Sequence, residues 1–274
     1  MTLETLYPEL DELLTAIGEA GRRMAEIEAA EGAAGNISVY IGWPIEPRRR
    51  FPLSTTIELP QAVPELAGHA FVVTGSGRRL REIIHNPEAN LGCLIVAEGG
   101  QTAQLYTSPQ CLFTRLTSEF NSHLAVHYSQ VQATGTHFHA VVHAQPPYLT
   151  YLSHIRRYQN EDYLNAHLLR WEPETIINLP EGLGVVPFQV PGSAAMMAAT
   201  VPAMRQHQVV LWCKHGVMAR SDQSVKRAAD RIEYAEIGAS YEYRNLLNQE
   251  QAEGLTAEEI RAICQALNVP QNIF

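Results

Sequence analysis

The stretch NLGCLIVAEGGQTAQLYTS (Asn90–Ser108) places two extended runs on either side of Gly99-Gly100. Segments joined by so short a glycine turn pair as an antiparallel hairpin, because parallel neighbours need a crossover of a dozen or more residues. That link argues against a doubly wound parallel sheet. Other strands follow along the chain. GNISVYIG reads as a strand entered through a glycine turn, HAFVVTGSG as an apolar run ending in one, and HFHAVVH as a further strand. LGVVPFQVPGS reads as a short strand at an edge or interrupted, because proline cannot donate to a ladder. VVLWCKHGVMA reads as a strand, a turn at Gly216 and more extended chain.

Helices alternate with these strands. Leu10, Leu13, Leu14, Ile17 and Met24 recur at helical spacing and predict a helix over residues 3–30, stopped by EGAAG. A helix is expected from Thr117 or Ser118, with Phe120, Leu124 and His127 on one side. Another opens at Pro146-Pro147, where proline is tolerated in the first turn. Asp222 can cap a long helix carrying Val225, Ala229, Ile232, Ala239 and Tyr243, and Thr256 with Glu259 forms a capping-box pattern for the last one. RRRFPLS reads as a basic surface loop. The expected fold is α/β, a central mainly antiparallel sheet flanked by helices. No repeat, linker or composition shift divides the chain, so residues 1–274 read as a single domain.

Composition removes several function classes. Hydrophobic residues at 46% and charged residues at 18% exclude a largely disordered chain. A net charge of -9 argues against a nucleic-acid partner. No run reaches the about 18 apolar residues that a membrane helix needs. The start, MTLETLYPELDELL, lacks the pattern of a signal peptide, and four widely spaced cysteines read as free thiols of a reducing compartment. A cytoplasmic protein is expected.

Three motifs can carry chemistry. His137, His139, His143 and Gln145 all have odd numbers, so on a strand they share one face. Neutral imidazoles are standard ligands for divalent metals, although histidines hydrogen-bonded near a surface fit the same spacing. His215 stands at a strand end before a glycine, where a side chain can project into a site. Thr117, Ser118 and Glu119 combine hydroxyls, helix-start amides and a carboxylate, a set that can cradle a phosphate or simply suit the helix dipole. The glycine turns GAAGN and TGSG can bring backbone amides to an anion, and TGSGRR does not match a P-loop.

In this order AAGNIS, FVVTGSGRRLREI, TSEFNSHLAVH, VVHAQPPYLTYL, WEPETIINLPEGLGVVPFQVPGS and VVLWCKHGVM resemble the class II aldolase/adducin family, over roughly residues 12 to 245. The resemblance implies a three-layer fold and a cyclic homotetramer. It implies a metal-dependent lyase that cleaves a ketose 1-phosphate to dihydroxyacetone phosphate and an aldehyde, using zinc or another divalent metal. Carried over by position, Glu119 is the acid/base, His143 and His215 are metal ligands, and Gln145 occupies the third ligand position. Gly35, Asn36, Thr74, Gly75, Thr117 and Ser118 match the phosphate and substrate cradle, and Glu174 matches a further acid. The family motif has histidine where Gln145 stands, and an amide oxygen is a weaker zinc ligand than imidazole. Ala33 stands where the aldolases usually carry asparagine. These departures keep two alternatives beside the lyase: a same-fold epimerase or decarboxylase, and a non-catalytic adducin-like protein. His139 lies ~13 Å from His143 along an extended strand, too far to share its metal.

Overall fold

The computed structural model describes residues 7–274. Nine strands form one sheet: β1 Asn36–Ile41, β2 Leu53–Glu58, β3 Ala70–Thr74, β4 Leu91–Val96, β5 Thr102–Thr107, β6 Phe138–Ala144, β7 Leu183–Val186, β8 Val209–Trp212 and β9 Gly216–Ser221. The helices are α1 Leu10–Glu26, α2 Leu80–Ile83, α3 Pro87–Asn90, α4 Phe120–Thr134, α5 Pro147–Leu152, α6 Glu161–Leu168, α7 Pro173–Asn178, α8 Ala194–Gln206, α9 Val225–Leu247 and α10 Ala257–Leu267. The spatial order is β2-β5-β4-β3-β1-β6-β9-β8-β7. Every neighbouring pair is antiparallel except β7 with β8. The hairpin expected around Gly99-Gly100 is β4–β5, and both glycines take positive φ, 84° and 70°. A Cβ on Gly100 would stand 2.3 Å from the Pro64 nitrogen, so this position tolerates no side chain.

The two central strands explain where chemistry can sit. Side chains alternate across a strand. Ile37, Val39 and Ile41 of β1, with Phe138, Ala140, Val142 and Ala144 of β6, enter a core built with Leu13 and Ile17 of α1 and Ile232 of α9. The other face of the same strands carries Asn36, Ser38 and Tyr40, and His139, Val141 and His143. There Tyr40 packs with Phe120 and Leu124 of α4, and Val141 packs with Trp212 and with Met196 and Met204 of α8. One face is thus uniformly apolar, while the other buries polar groups that need partners.

Several elements differ from their sequence reading. α1 begins at Leu10, after Pro8, and residues 3–6 of the expected helix lie outside the described residues. It ends at Glu26, where Glu28 takes φ 61° and the Ala29 N–H donates to Met24. RRRFPLS is only partly a loop. Arg50 is pinned by Asp11 at 2.8 Å and Glu88 at 3.0 Å, and the edge strand β2 starts at Leu53. α4 starts at Phe120, with Glu119 as its N-cap, rather than at Thr117 or Ser118. Leu116 bridges Gly75, and the Thr117 N–H donates to the Thr74 carbonyl, so the chain is held beside the end of β3 as far as Thr117 and turns through Ser118 and Glu119 before the helix begins. Ser224, not Asp222, caps α9, accepting from the Arg227 N–H at 3.0 Å. The capping box of Thr256 and Glu259 forms as expected, and β7 is an edge strand.

Candidate metal centre

Three elements deliver one cluster. His143 sits near the end of β6, opposite Asn36 on β1. Glu119 is the N-cap of α4. His215 sits in the tight turn between β8 and β9, its N–H donating to the Trp212 carbonyl at 3.0 Å. One ligand atom from each of Glu119, His143 and His215 lies within 4.8 Å of the others. His215 Nε2 is 3.2 Å from one Glu119 oxygen, and His143 Nε2 is 3.4 Å from the other.

The surroundings fix these side chains. His143 Nδ1 lies 2.8 Å from the Val217 carbonyl, which can only accept, so Nδ1 carries a hydrogen and Nε2, turned toward Glu119, is the nitrogen free to offer a lone pair to a metal. That is the state a metal ligand needs. Trp212 stacks on His215 with ring centres 5.2 Å apart and lies 4.8 Å from His143, while its own indole N–H donates to Thr200 at 2.9 Å. The Asn36 amide donates to Glu119 at 2.7 Å, and its oxygen has no partner among the described residues. Burial alone would raise the Glu119 carboxyl, but His143, the Asn36 amide and His215 outweigh it and hold the pKa below the usual carboxylate value. Burial, reinforced by His143, pushes His215 down to about 4. A buried carboxylate facing two imidazole nitrogens is a donor set that fits a divalent cation.

The other expected residues fall into three groups. Gln145 lies just past β6, its side chain beside the bare face of Gly216: a Cβ built there would meet Gln145 Cγ at 3.0 Å and His143 Cε1 at 3.1 Å. Gly35, at φ 81°, crosses the same strand end, where a Cβ would stand 3.0 Å from the His143 carbonyl oxygen. Thr74 and Gly75 end β3 beside Thr117, and the Thr74 hydroxyl accepts from the Ile37 N–H at 3.2 Å. Ser118 is exposed next to the buried Glu119. Glu174 is not brought to the cluster within this chain. It is exposed on α7, which packs through Ile176 into the core on the opposite face of the sheet.

The sequence reading missed Ser38 and His123. Both are fully buried behind the cluster, together with His127 and His139. The available signal was the spacing Glu119, His123, His127, which places all three on one helix stripe. His139 is therefore not a surface histidine.

The model of the family described as Class II Aldolase and Adducin N-terminal domain matches residues 15–243. A rhamnulose-1-phosphate aldolase of Yersinia pestis is 30% identical over 247 residues, covering 87% of each chain. The crystal structure of a sugar-phosphate aldolase from Thermotoga maritima superposes with a TM-score of 0.73 at 28% identity, covering 87% of this chain and 96% of that one. An L-fuculose-1-phosphate aldolase from Thermus thermophilus shares the fold, with a TM-score of 0.56 at 20% identity over 89% of this chain and 100% of its own. These matches support an enzyme of the lyase class.

Proposed function

The chain belongs to the class II aldolase and adducin family, and from that premise we propose that it is a divalent-metal-dependent aldehyde-lyase. Its substrate is a ketose 1-phosphate of the rhamnulose 1-phosphate type, cleaved to dihydroxyacetone phosphate and an aldehyde. The observation that carries this reading is the convergence of Glu119, His143 and His215 ligand atoms within 4.8 Å. His143 and His215 would hold the cation through Nε2, with Gln145 at the third ligand position. When bound, zinc or a similar ion supplies Lewis-acid stabilisation of the negative charge that develops as the carbon–carbon bond breaks.

The remaining roles fall to the protein's own groups. Glu119, held as a carboxylate by its neighbours, accepts the proton of the hydroxyl next to the breaking bond and returns one to carbon. Asn36 orients that carboxylate through its 2.7 Å hydrogen bond. Gly35, Thr74, Gly75, Thr117 and Ser118 would supply the hydroxyls and amides for the phosphate, whose binding energy orients the reacting carbons. The wider reading is one domain of the family's three-layer arrangement, assembled as a homotetramer in the cytoplasm. Glu174 acts as a further acid only if a second subunit presents it. Among the described residues no helix is long and apolar enough to cross a membrane.

The test is to incubate zinc-loaded protein with rhamnulose 1-phosphate and fuculose 1-phosphate and to measure dihydroxyacetone phosphate. Release from either is expected, and Glu119→Gln should lower the rate by about a hundredfold or more, the scale of a lost acid/base group. No release from either sugar, with metal bound, would favour the epimerase or decarboxylase alternative, which the exchange of histidine for Gln145 motivates.

A further inference from the structure

Two imidazoles face Glu119, and the chain holds them in different ways. A ring bound to a metal through one nitrogen is ordinarily aligned by a hydrogen bond from the other. His143 has that bond, from Nδ1 to the Val217 carbonyl at 2.8 Å. His215 does not. Its Nδ1 is buried and has no hydrogen-bond partner among the described residues. The backbone around it is fixed, because the Lys214 N–H donates to Ser153 Oγ at 2.7 Å and the His215 N–H to the Trp212 carbonyl at 3.0 Å. A fixed backbone still leaves the imidazole its own side-chain torsions. A second contact has to set the plane of the ring.

Trp212 makes that contact. It closes β8 and pairs with Gly216 across the turn that carries His215. It is fully buried. Its ring stacks on His215, with centres 5.2 Å and planes 23° apart, and lies against His143, with centres 4.8 Å and planes 36° apart. In a close-packed interior, a stacked imidazole cannot swing without driving an edge into the indole. The indole is itself latched. It can only donate, and its N–H reaches Thr200 Oγ1 at 2.9 Å. The buried Thr200 hydroxyl donates its one hydrogen to the Met196 carbonyl, 2.7 Å away and four residues back along α8. Its lone pairs are therefore left to accept from Trp212. Val126, Met196 and Met204 share the apolar cluster that holds the indole. Direct contacts thus run from Met196 through Thr200 and Trp212 to His215, whose Nε2 is 3.2 Å from a Glu119 oxygen.

We propose that Trp212 is a positioning residue: its indole, latched by Thr200, does for His215 what the Val217 carbonyl does for His143, and aims Nε2 at the metal position. The proposal rests on the reading of Glu119, His143 and His215 as a metal centre, and not on the sugar or the reaction. Through Thr200 it gives α8 a part in the site.

The test titrates the metal-stripped full chain with zinc and with cobalt(II), whose visible absorption reports ligand geometry. Thr200→Val keeps the shape of the side chain and removes the acceptor. Trp212→Phe keeps a ring and removes the latch. Each should weaken zinc binding about tenfold or more, the scale of a lost outer partner, and shift the cobalt bands. Thr200→Ser retains the acceptor and should match the wild type in both readouts. Met204→Ala thins the same apolar cluster and should lower stability while leaving both readouts unchanged. Wild-type affinity and bands in either Thr200→Val or Trp212→Phe overturn the proposal. So does Met204→Ala weakening zinc as much as they do, because the indole would then serve only as core volume. If the wild type binds neither metal, the metal reading fails, and the metal-free protein decides the role of Trp212. Nuclear Overhauser contacts between the His215 and Trp212 rings should then be present in wild type and Thr200→Ser and lost in Thr200→Val. Unchanged contacts in Thr200→Val overturn the proposal.

Discussion

Gln145 is the residue on which the metal reading turns. Its side chain lies beside His143 and Gly216, next to the cluster rather than in the apolar core. In the proposed centre residue 145 would be a ligand of weaker chemistry than imidazole. Gln145→His should raise zinc affinity by about tenfold or more, because imidazole replaces an amide oxygen. Calorimetric titration checks this, and unchanged affinity would mean that residue 145 does not face the metal. The convergence of Glu119, His143 and His215 was legible in the sequence because they lie in short motifs whose order matches a family. Ser38 and His123 were not, because nothing in the local spacing of GNISVYIG shows which side chains α4 will cover. Parity placed His139 on the His143 face, too far along the strand to share its metal, but did not show that it is buried against His127.

At the scale of elements, the site depends on how closely β9 approaches the end of β6. Gly216 has φ 157°, and a Cβ there would stand 2.4 Å from the Ala144 carbonyl oxygen. Backbone cannot yield as a flexible side chain would, so Gly216→Ala must push the β8–β9 turn, and His215 with it, away from His143. A loss of about 1–3 kcal/mol of stability is expected, the scale of overpacking, accompanied by weaker zinc binding. Denaturant unfolding with a change under about 0.5 kcal/mol would contradict this account. The hairpin, the strand at HFHAVVH and the last capping box were readable because turn chemistry and period-two patterning are local. The start of α4 was misplaced because a tertiary contact, the Gly75–Leu116 bridge, holds Thr117 beside β3, while at α9 two neighbouring capping residues compete and Ser224 rather than Asp222 accepts from the Arg227 N–H.

At the scale of the molecule, the sheet's two unlike faces set its response to acid. Burial lowers the pKa of His123, His127, His139 and His215, so the folded state binds fewer protons at these groups than the unfolded chain does. Their contribution to stability is complete above the unfolded value of about 6.5 and is lost as the pH falls below it. Glu236 works the other way. Burial raises it to about 7 even though it accepts from the Tyr148 and Leu149 N–H groups, so it favours folding as the pH falls from about 7 to its unfolded value. The histidines outnumber it. Stability of the metal-free protein should therefore fall between pH 7 and 5, with a slope approaching at least about 1.4 kcal/mol per pH unit near pH 5. A flat or rising profile in urea titrations would show that these imidazoles are not held neutral.

The most direct test of the account is the divalent metal content of the purified chain after zinc loading and removal of free ion. Roughly one ion per chain is predicted, with His143→Ala retaining almost none, because the cluster supplies too few donors once one imidazole is gone. Protein that keeps no metal after loading, or His143→Ala that keeps as much as wild type, would contradict the proposal that Glu119, His143 and His215 form a metal centre.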